Sequence, residues 1–135
     1  MITVATTVQA TLEKVWDCWT NPSHIVNWNF ASDDWCTSKA TNELRVGGKF
    51  SSTMAAKDNS MAFDFDGTYT KVETLKCIEY VLADDRKVII TFEQNGDKVT
   101  VIESFDPEKE NTLELQKMGW QAIMNNFKKY TERCN

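Results

Sequence analysis

With 135 residues and fifteen aromatics (five Trp, three Tyr, seven Phe), the chain can build a hydrophobic core and is too apolar to stay disordered. A net charge of −5 argues against nucleic acid or an anionic membrane as the main partner. No apolar run is long enough to span a bilayer. One domain over residues 1–135 is expected. The opening MITVATTV lacks the charged and long apolar regions of a secretory signal, so the expected location is cytoplasmic.

Residues Ile2 to Val8 are β-branched and loosely alternating, which predicts a first strand. Thr11 is placed to cap a helix from Leu12 to Thr20, with Leu12, Val15, Trp16 and Trp19 at helical spacing. Asn21-Pro22 ends it and opens a second short helix carrying His24, Ile25 and Trp28, proline being well suited to a first helical position. His24 is the only histidine, and no serine, cysteine or carboxylate is paired with it by recognisable spacing, so a structural or surface role is expected. Asn29 to Thr41 mixes aromatics with small polar residues without a period and reads as a loop, with Phe30 and Trp35 as anchors or pocket closers. Asp33-Asp34 reads as a turn or cap, since two adjacent carboxylates alone make a poor calcium loop.

From Glu43 onward the pattern is antiparallel sheet. Arg45 to Gly48 forms a turn or bulge without a phosphate-binding glycine motif, and leads to a strand with Phe50, Ser52 and Met54 on one face. After the Asp58-Asn59-Ser60 turn, Met61, Phe63, Phe65, Gly67 and Tyr69 alternate with Asp64, Asp66, Thr68 and Thr70, giving an aromatic inner face and solvated acids outside. Ile78, Tyr80 and Leu82 mark the next strand, with a turn at Asp84-Asp85. Val88 to Gln94 and Asp97 to Phe105 form a hairpin joined by Asn95-Gly96 in a type I′ arrangement. Counting back from that turn pairs Phe92 with Val99, Ile90 with Val101 and Val88 with Glu103. Glu103 therefore shares a face with large apolar residues, where a carboxylate is paired, raised in pKa, aimed at a ligand, or released to solvent at the hairpin end.

Asn111 to Arg133 reads as a long amphipathic helix. Asn111 and Glu114 form a capping-box pattern, and Lys128, Lys129 and Arg133 suit the negative end of the helix dipole. Leu113, Trp120, Ile123, Met124, Phe127 and Tyr130 fall on one stripe. Gln116 projects to its centre, where an amide needs partners: it bonds to a neighbouring strand or turn, or lines a cavity. Gly119, costly in mid-helix, implies a close backbone approach. Leu115, Met118 and Ala122 lie opposite and suit self-association, so a homodimer is a possibility to test. The four cysteines form no CxxC pair, and spacing spells out no zinc site, so no metal is expected. Cys18 and Cys77 read as core or strand residues, Cys134 as an exposed tail thiol, and Cys36 as a loop residue open to reaction.

The segments TLEKVWDCWTNPSHIVNW, VGGKF, FDFDGTYTKV and SFDPEKENTLELQKMGWQAIMNNFKKY resemble the START-like (SRPBCC) superfamily, and within it the branch related to the activator of the heat-shock-protein-90 ATPase. The resemblance covers nearly the whole chain and is strongest at Val15-Trp16, Asn21-Pro22, Trp28 and Gly119-Trp120. It implies an α+β helix-grip fold: a curved antiparallel sheet, here of about six strands, around a long C-terminal helix with a cavity between them, and two short helices after the first strand. It implies hydrophobic ligands and no common catalytic residues; the chain lacks the metal-centre ligands of the ring-hydroxylating branch, so no cofactor is expected. The expected function is binding of a small hydrophobic molecule, with Trp28, Trp35, Phe50, Phe63, Phe65, Tyr69, Phe92, Glu103, Gln116 and Trp120 lining the site. The alternatives are a polyketide-cyclase-like enzyme using Glu103, Tyr69 or His24 for proton transfer, and a chaperone- or stress-related interaction module.

Overall fold

The computed structural model describes residues 1–134. Strand β1 (Ile2–Val8) is followed by helices α1 (Leu12–Thr20) and α2 (Pro22–Ile25). Six strands come next: β2 (Trp35–Asn42), β3 (Lys49–Ala56), β4 (Ala62–Glu73), β5 (Cys77–Leu82), β6 (Lys87–Asn95) and β7 (Lys98–Phe105). Helix α3 (Leu113–Arg133) closes the chain. The strands form one antiparallel sheet in the order β1-β7-β6-β5-β4-β3-β2, a meander closed by β1 returning to β7. This curled half-barrel holds α3 against its concave face, which is the helix-grip arrangement. Among the described residues, no helix is long and apolar enough to cross a membrane.

Local chemistry explains the entries to the helices. The Thr11 hydroxyl accepts from the Lys14 amide at 3.2 Å and starts α1. Asn21 both ends α1 and starts α2: its amide donates to the Asp17 carbonyl at 2.9 Å, and its Oδ1 accepts from Ser23 at 3.0 Å. Trp28 lies in the turns beyond α2, where Nε1 donates to the Cys18 carbonyl at 2.9 Å. Its ring meets Trp19 and Phe127 at centroid distances of 5.0 and 4.9 Å, joining both N-terminal helices to α3. Val8, Val15, Ile90, Val99, Val101, Phe105 and Phe127 complete a core closed to solvent.

Four details differ from the sequence reading. The sheet has seven strands rather than about six, because Trp35–Asn42 is an edge strand and not a loop. Its residues are small or polar, it pairs only with β3, and a bulge between Thr37 and Lys39 breaks its alternation, so no period of two survives. Cys36 is accordingly a strand residue. Second, the β6–β7 turn has Gly96 and Asp97 at its corners, Gly96 at φ +68°, so Phe92 pairs with Val101 and Ile90 with Glu103. The register moves by two residues and preserves side-chain parity, so Glu103 stays on the inner face. Third, Thr112 caps α3, accepting from the Leu115 amide at 3.1 Å, while the Asn111 amide donates to Glu108 at 2.7 Å. Leu113, one residue inside the helix, is therefore exposed rather than part of the buried stripe, and Met61 is exposed beside its turn. Fourth, a Cβ at Gly119 would meet no atom within 4 Å, so no close approach explains that glycine.

Candidate functional site

Between the concave face and α3 lies a cleft of about 590 Å³. Strand alternation builds its floor: Phe50, Ser52 and Met54 from β3, Phe63, Phe65 and Tyr69 from β4, Ile78 and Tyr80 from β5, and Glu103 from β7. Helix α3 supplies Gln116, Gly119, Trp120 and Ile123, and Trp19, Trp28 and Trp35 border it from the N-terminal half. The rings brace one another. Phe50 meets Tyr80 edge-on at 4.6 Å, and Phe65 meets Trp120 edge-on at 6.1 Å. Trp120 stacks on Phe105 at 3.8 Å and 11°. At the mouth, Trp35 and Phe63 stand 5.8 Å apart, with Phe63 49% exposed.

Gly67 is what lets Phe50 lie flat in this floor. A Cβ there would stand 2.4 Å from Phe50 Cε2 and 2.6 Å from Cζ. Gly67→Ala is expected to lower stability by about 1–3 kcal/mol through overpacking and to tilt Phe50 into the cleft. Denaturant unfolding and the ring resonances of Phe50 would check this, and an unshifted Phe50 with unchanged stability would contradict it.

The polar groups divide into satisfied and unsatisfied ones. Tyr69 donates its hydroxyl to Asn42 Oδ1 at 2.6 Å, while Asn42 Nδ2 donates to the Thr20 carbonyl at 2.6 Å. This ties β4, the end of β2 and the end of α1 together at one wall, and burial pushes the Tyr69 phenol up to about 12. Gln116 is fully engaged: Oε1 accepts from the Glu108 amide at 2.8 Å, and Nε2 donates to the carbonyls of Glu108 at 3.1 Å and Asn111 at 2.9 Å. Of its two possible roles, bonding to a turn accounts for its polar atoms. Glu103 is different. It is 6% exposed, and burial alone, with no offsetting charge or hydrogen bond, pushes its carboxyl up to about 8. At neutral pH it is mainly a protonated acid able to donate. Tyr80 beside it is held well above the usual phenol range by burial and by the Glu103 charge.

Nine of the ten expected residues border the cleft: Trp28, Trp35, Phe50, Phe63, Phe65, Tyr69, Glu103, Gln116 and Trp120. Phe92 does not. Although it faces inward, α1 covers that end of the sheet, and Phe92 packs edge-on against Trp16 at 5.2 Å and Trp19 at 6.0 Å. Of the three proton-transfer candidates, Glu103 and Tyr69 share the cleft, whereas His24 lies outside its lining and contacts Tyr130 and Asp17. Sequence reasoning missed Tyr80, Asn42 and Arg86 as lining residues. Alternation with Ile78 signals Tyr80, but Asn42 belongs to the strand that shows no period, and Arg86 follows a turn that hides its direction. Leu115, on the thinner apolar set of α3, borders the cleft mouth while remaining exposed.

Residues 9–132 match the family described as Activator of Hsp90 ATPase homolog 1-like protein. Among solved structures, an AHSA1-like protein from Aeromonas hydrophila is 40% identical with a TM-score of 0.89, over 98% of this chain and 93% of that one. A protein from Cytophaga hutchinsonii is 54% identical with a TM-score of 0.85, over 98% of this chain and 92% of that one. A Nitrosomonas europaea protein, 15% identical with a TM-score of 0.80 over 98% of this chain and 94% of that one, shares the fold alone. No curated protein matches the chain. With the family pattern running almost end to end and two solved relatives at 40% and 54% identity, the chain belongs to the Activator of Hsp90 ATPase homolog 1-like family of the START-like superfamily.

Proposed function

We propose that the cleft holds one small, largely apolar molecule with a polar end that accepts a hydrogen bond from Glu103. The observation that carries this reading is an aromatic-walled space of about 590 Å³ with one buried, unpartnered and mainly neutral carboxyl on its floor. That volume and that ratio of apolar wall to polar groups suit a drug-sized ligand. Phe50, Phe65 and Trp120 supply flat apolar contact. A carboxylic acid kept neutral favours a carbonyl or hydroxyl partner over an anion.

Gly119 gives the test. It borders the cleft and has free space where a side chain would grow. Gly119→Ala is expected to stabilise the helix by up to about 1 kcal/mol. Gly119→Leu is expected to fold and to lose at least about tenfold in affinity for any molecule extracted with the wild-type protein, by occupying its volume. Isothermal titration with the extracted molecule measures this. Equal affinity in Gly119→Leu would place the molecule elsewhere.

Proton transfer is a second reading, favoured by one observation: a carboxyl held at about 8 exchanges protons readily near neutrality. On this reading Glu103→Gln abolishes turnover while ligand affinity persists. Binding without any chemical change to the ligand in the wild-type protein excludes it.

A further inference from the structure

Outside the lining of the cleft, three elements bring together side chains that sequence spacing keeps apart. Cys18 of α1, His24 of α2 and Cys134 at the end of α3 place one potential ligand atom each within 4.8 Å of one another. We propose that Cys18, His24 and Cys134 form a thiolate–imidazole site for a thiophilic divalent cation of the zinc class.

The surroundings fit that chemistry in two independent ways. Asp17 Oδ2 lies 3.1 Å from His24 Nε2. A carboxylate on one ring nitrogen is the carboxylate–histidine arrangement that orients imidazoles bound to metal through the other, here Nδ1. Nδ1 in turn lies 2.6 Å from the Tyr130 hydroxyl, which is 3.9 Å from Cys134 Sγ. A cation at Nδ1 would displace this hydroxyl, and two sulfurs, one nitrogen and a water would make a tetrahedral set suited to zinc. The second observation is Thr131. Its hydroxyl is fully buried and has no oxygen or nitrogen hydrogen-bond partner among the described residues. It adjoins the Cys18 sulfur.

The backbone is already ordered for such a site. Trp28 Nε1 fixes the Cys18 carbonyl at 2.9 Å, and the Cys134 amide donates to the Tyr130 carbonyl at 3.0 Å. Two thiolates and a neutral imidazole around one divalent cation leave no net charge. Cys134 is half-buried here rather than an exposed tail thiol.

The test is titration of the full chain, reduced and under inert gas, with Co²⁺ and then Zn²⁺. The expected result is one equivalent of Co²⁺ giving a sulfur-to-cobalt charge-transfer band with tetrahedral d–d absorption, displaced by Zn²⁺. Cys134→Ser is expected to weaken Zn²⁺ binding by about 100-fold or more, and Asp17→Asn by about 10–100-fold through the unoriented imidazole. Cys36→Ser, outside the cluster, should bind normally. Cys18 is buried and its replacement risks the fold, so Cys134 and Asp17 carry the test. Absence of the charge-transfer band, or a band that survives Cys134→Ser, overturns the proposal. So does a reduced protein that takes no metal but closes a Cys18–Cys134 disulfide on oxidation.

Discussion

Glu103→Gln is expected to remove a pH-dependent loss of stability that the wild-type protein carries between about pH 4.5 and pH 8. The carboxyl is raised from 4.5 to about 8 by burial alone, so in that window the folded state binds one more proton than the unfolded state. Stability is therefore greatest below the unfolded value and falls as pH rises through the folded one. Each unit of difference corresponds to about 1.4 kcal/mol, so the full loss is roughly 5 kcal/mol, a large share of a small domain's stability. Glutamine keeps the shape and cannot ionise. The two proteins should unfold at similar denaturant concentrations at pH 5, with the variant the more stable by several kcal/mol at pH 9. Glu132, lowered by hydrogen bonds from Lys128 and the Gln9 amide, titrates below this window and does not blur it. Parallel stability curves for the two proteins would mean that Glu103 ionises freely and that the cleft floor is wet.

Gln116→Leu is expected to cost about 2–4 kcal/mol, from the loss of three side-chain hydrogen bonds to the Glu108 and Asn111 backbone. The substitution adds an apolar side chain to a largely apolar stripe, so hydrophobic patterning alone predicts no loss. The difference lies in the turn before α3: Gln116 takes the place of a missing strand partner for residues 108–111, and leucine leaves those groups unpaired. Hydrogen exchange should accelerate at the Glu108 amide in particular, while the β6–β7 hairpin stays protected. Unchanged exchange at Glu108, with reduced ligand affinity alone, would assign Gln116 to the ligand instead.

These two residues show what was legible in the sequence. Both stood out as polar groups at positions where period and register demanded apolar ones, and both proved buried. For Glu103 this survived a two-residue error in hairpin register, because parity decides which face a strand residue takes. The curled sheet around α3 was legible for the same reason: alternation over β4 to β7 and the helical stripe are long and regular. Strand β2 was not, since an edge strand with one neighbour and a bulge needs no apolar alternation. Phe92 shows a further limit. Parity gives the face, but which end of that face α1 covers depends on Trp16 and Trp19 reaching across it. The Cys18–His24–Cys134 cluster lay beyond spacing rules altogether, since the fold joins residues at opposite ends of the chain.

Native mass spectrometry of the protein purified from its own host tests most directly whether the cleft between sheet and α3 is a binding site. The predicted result is one small organic molecule per chain in the wild-type protein, lost on mild activation and missing from Gly119→Leu. A clean mass of the bare chain in both proteins, with nothing recovered on solvent extraction, would contradict it.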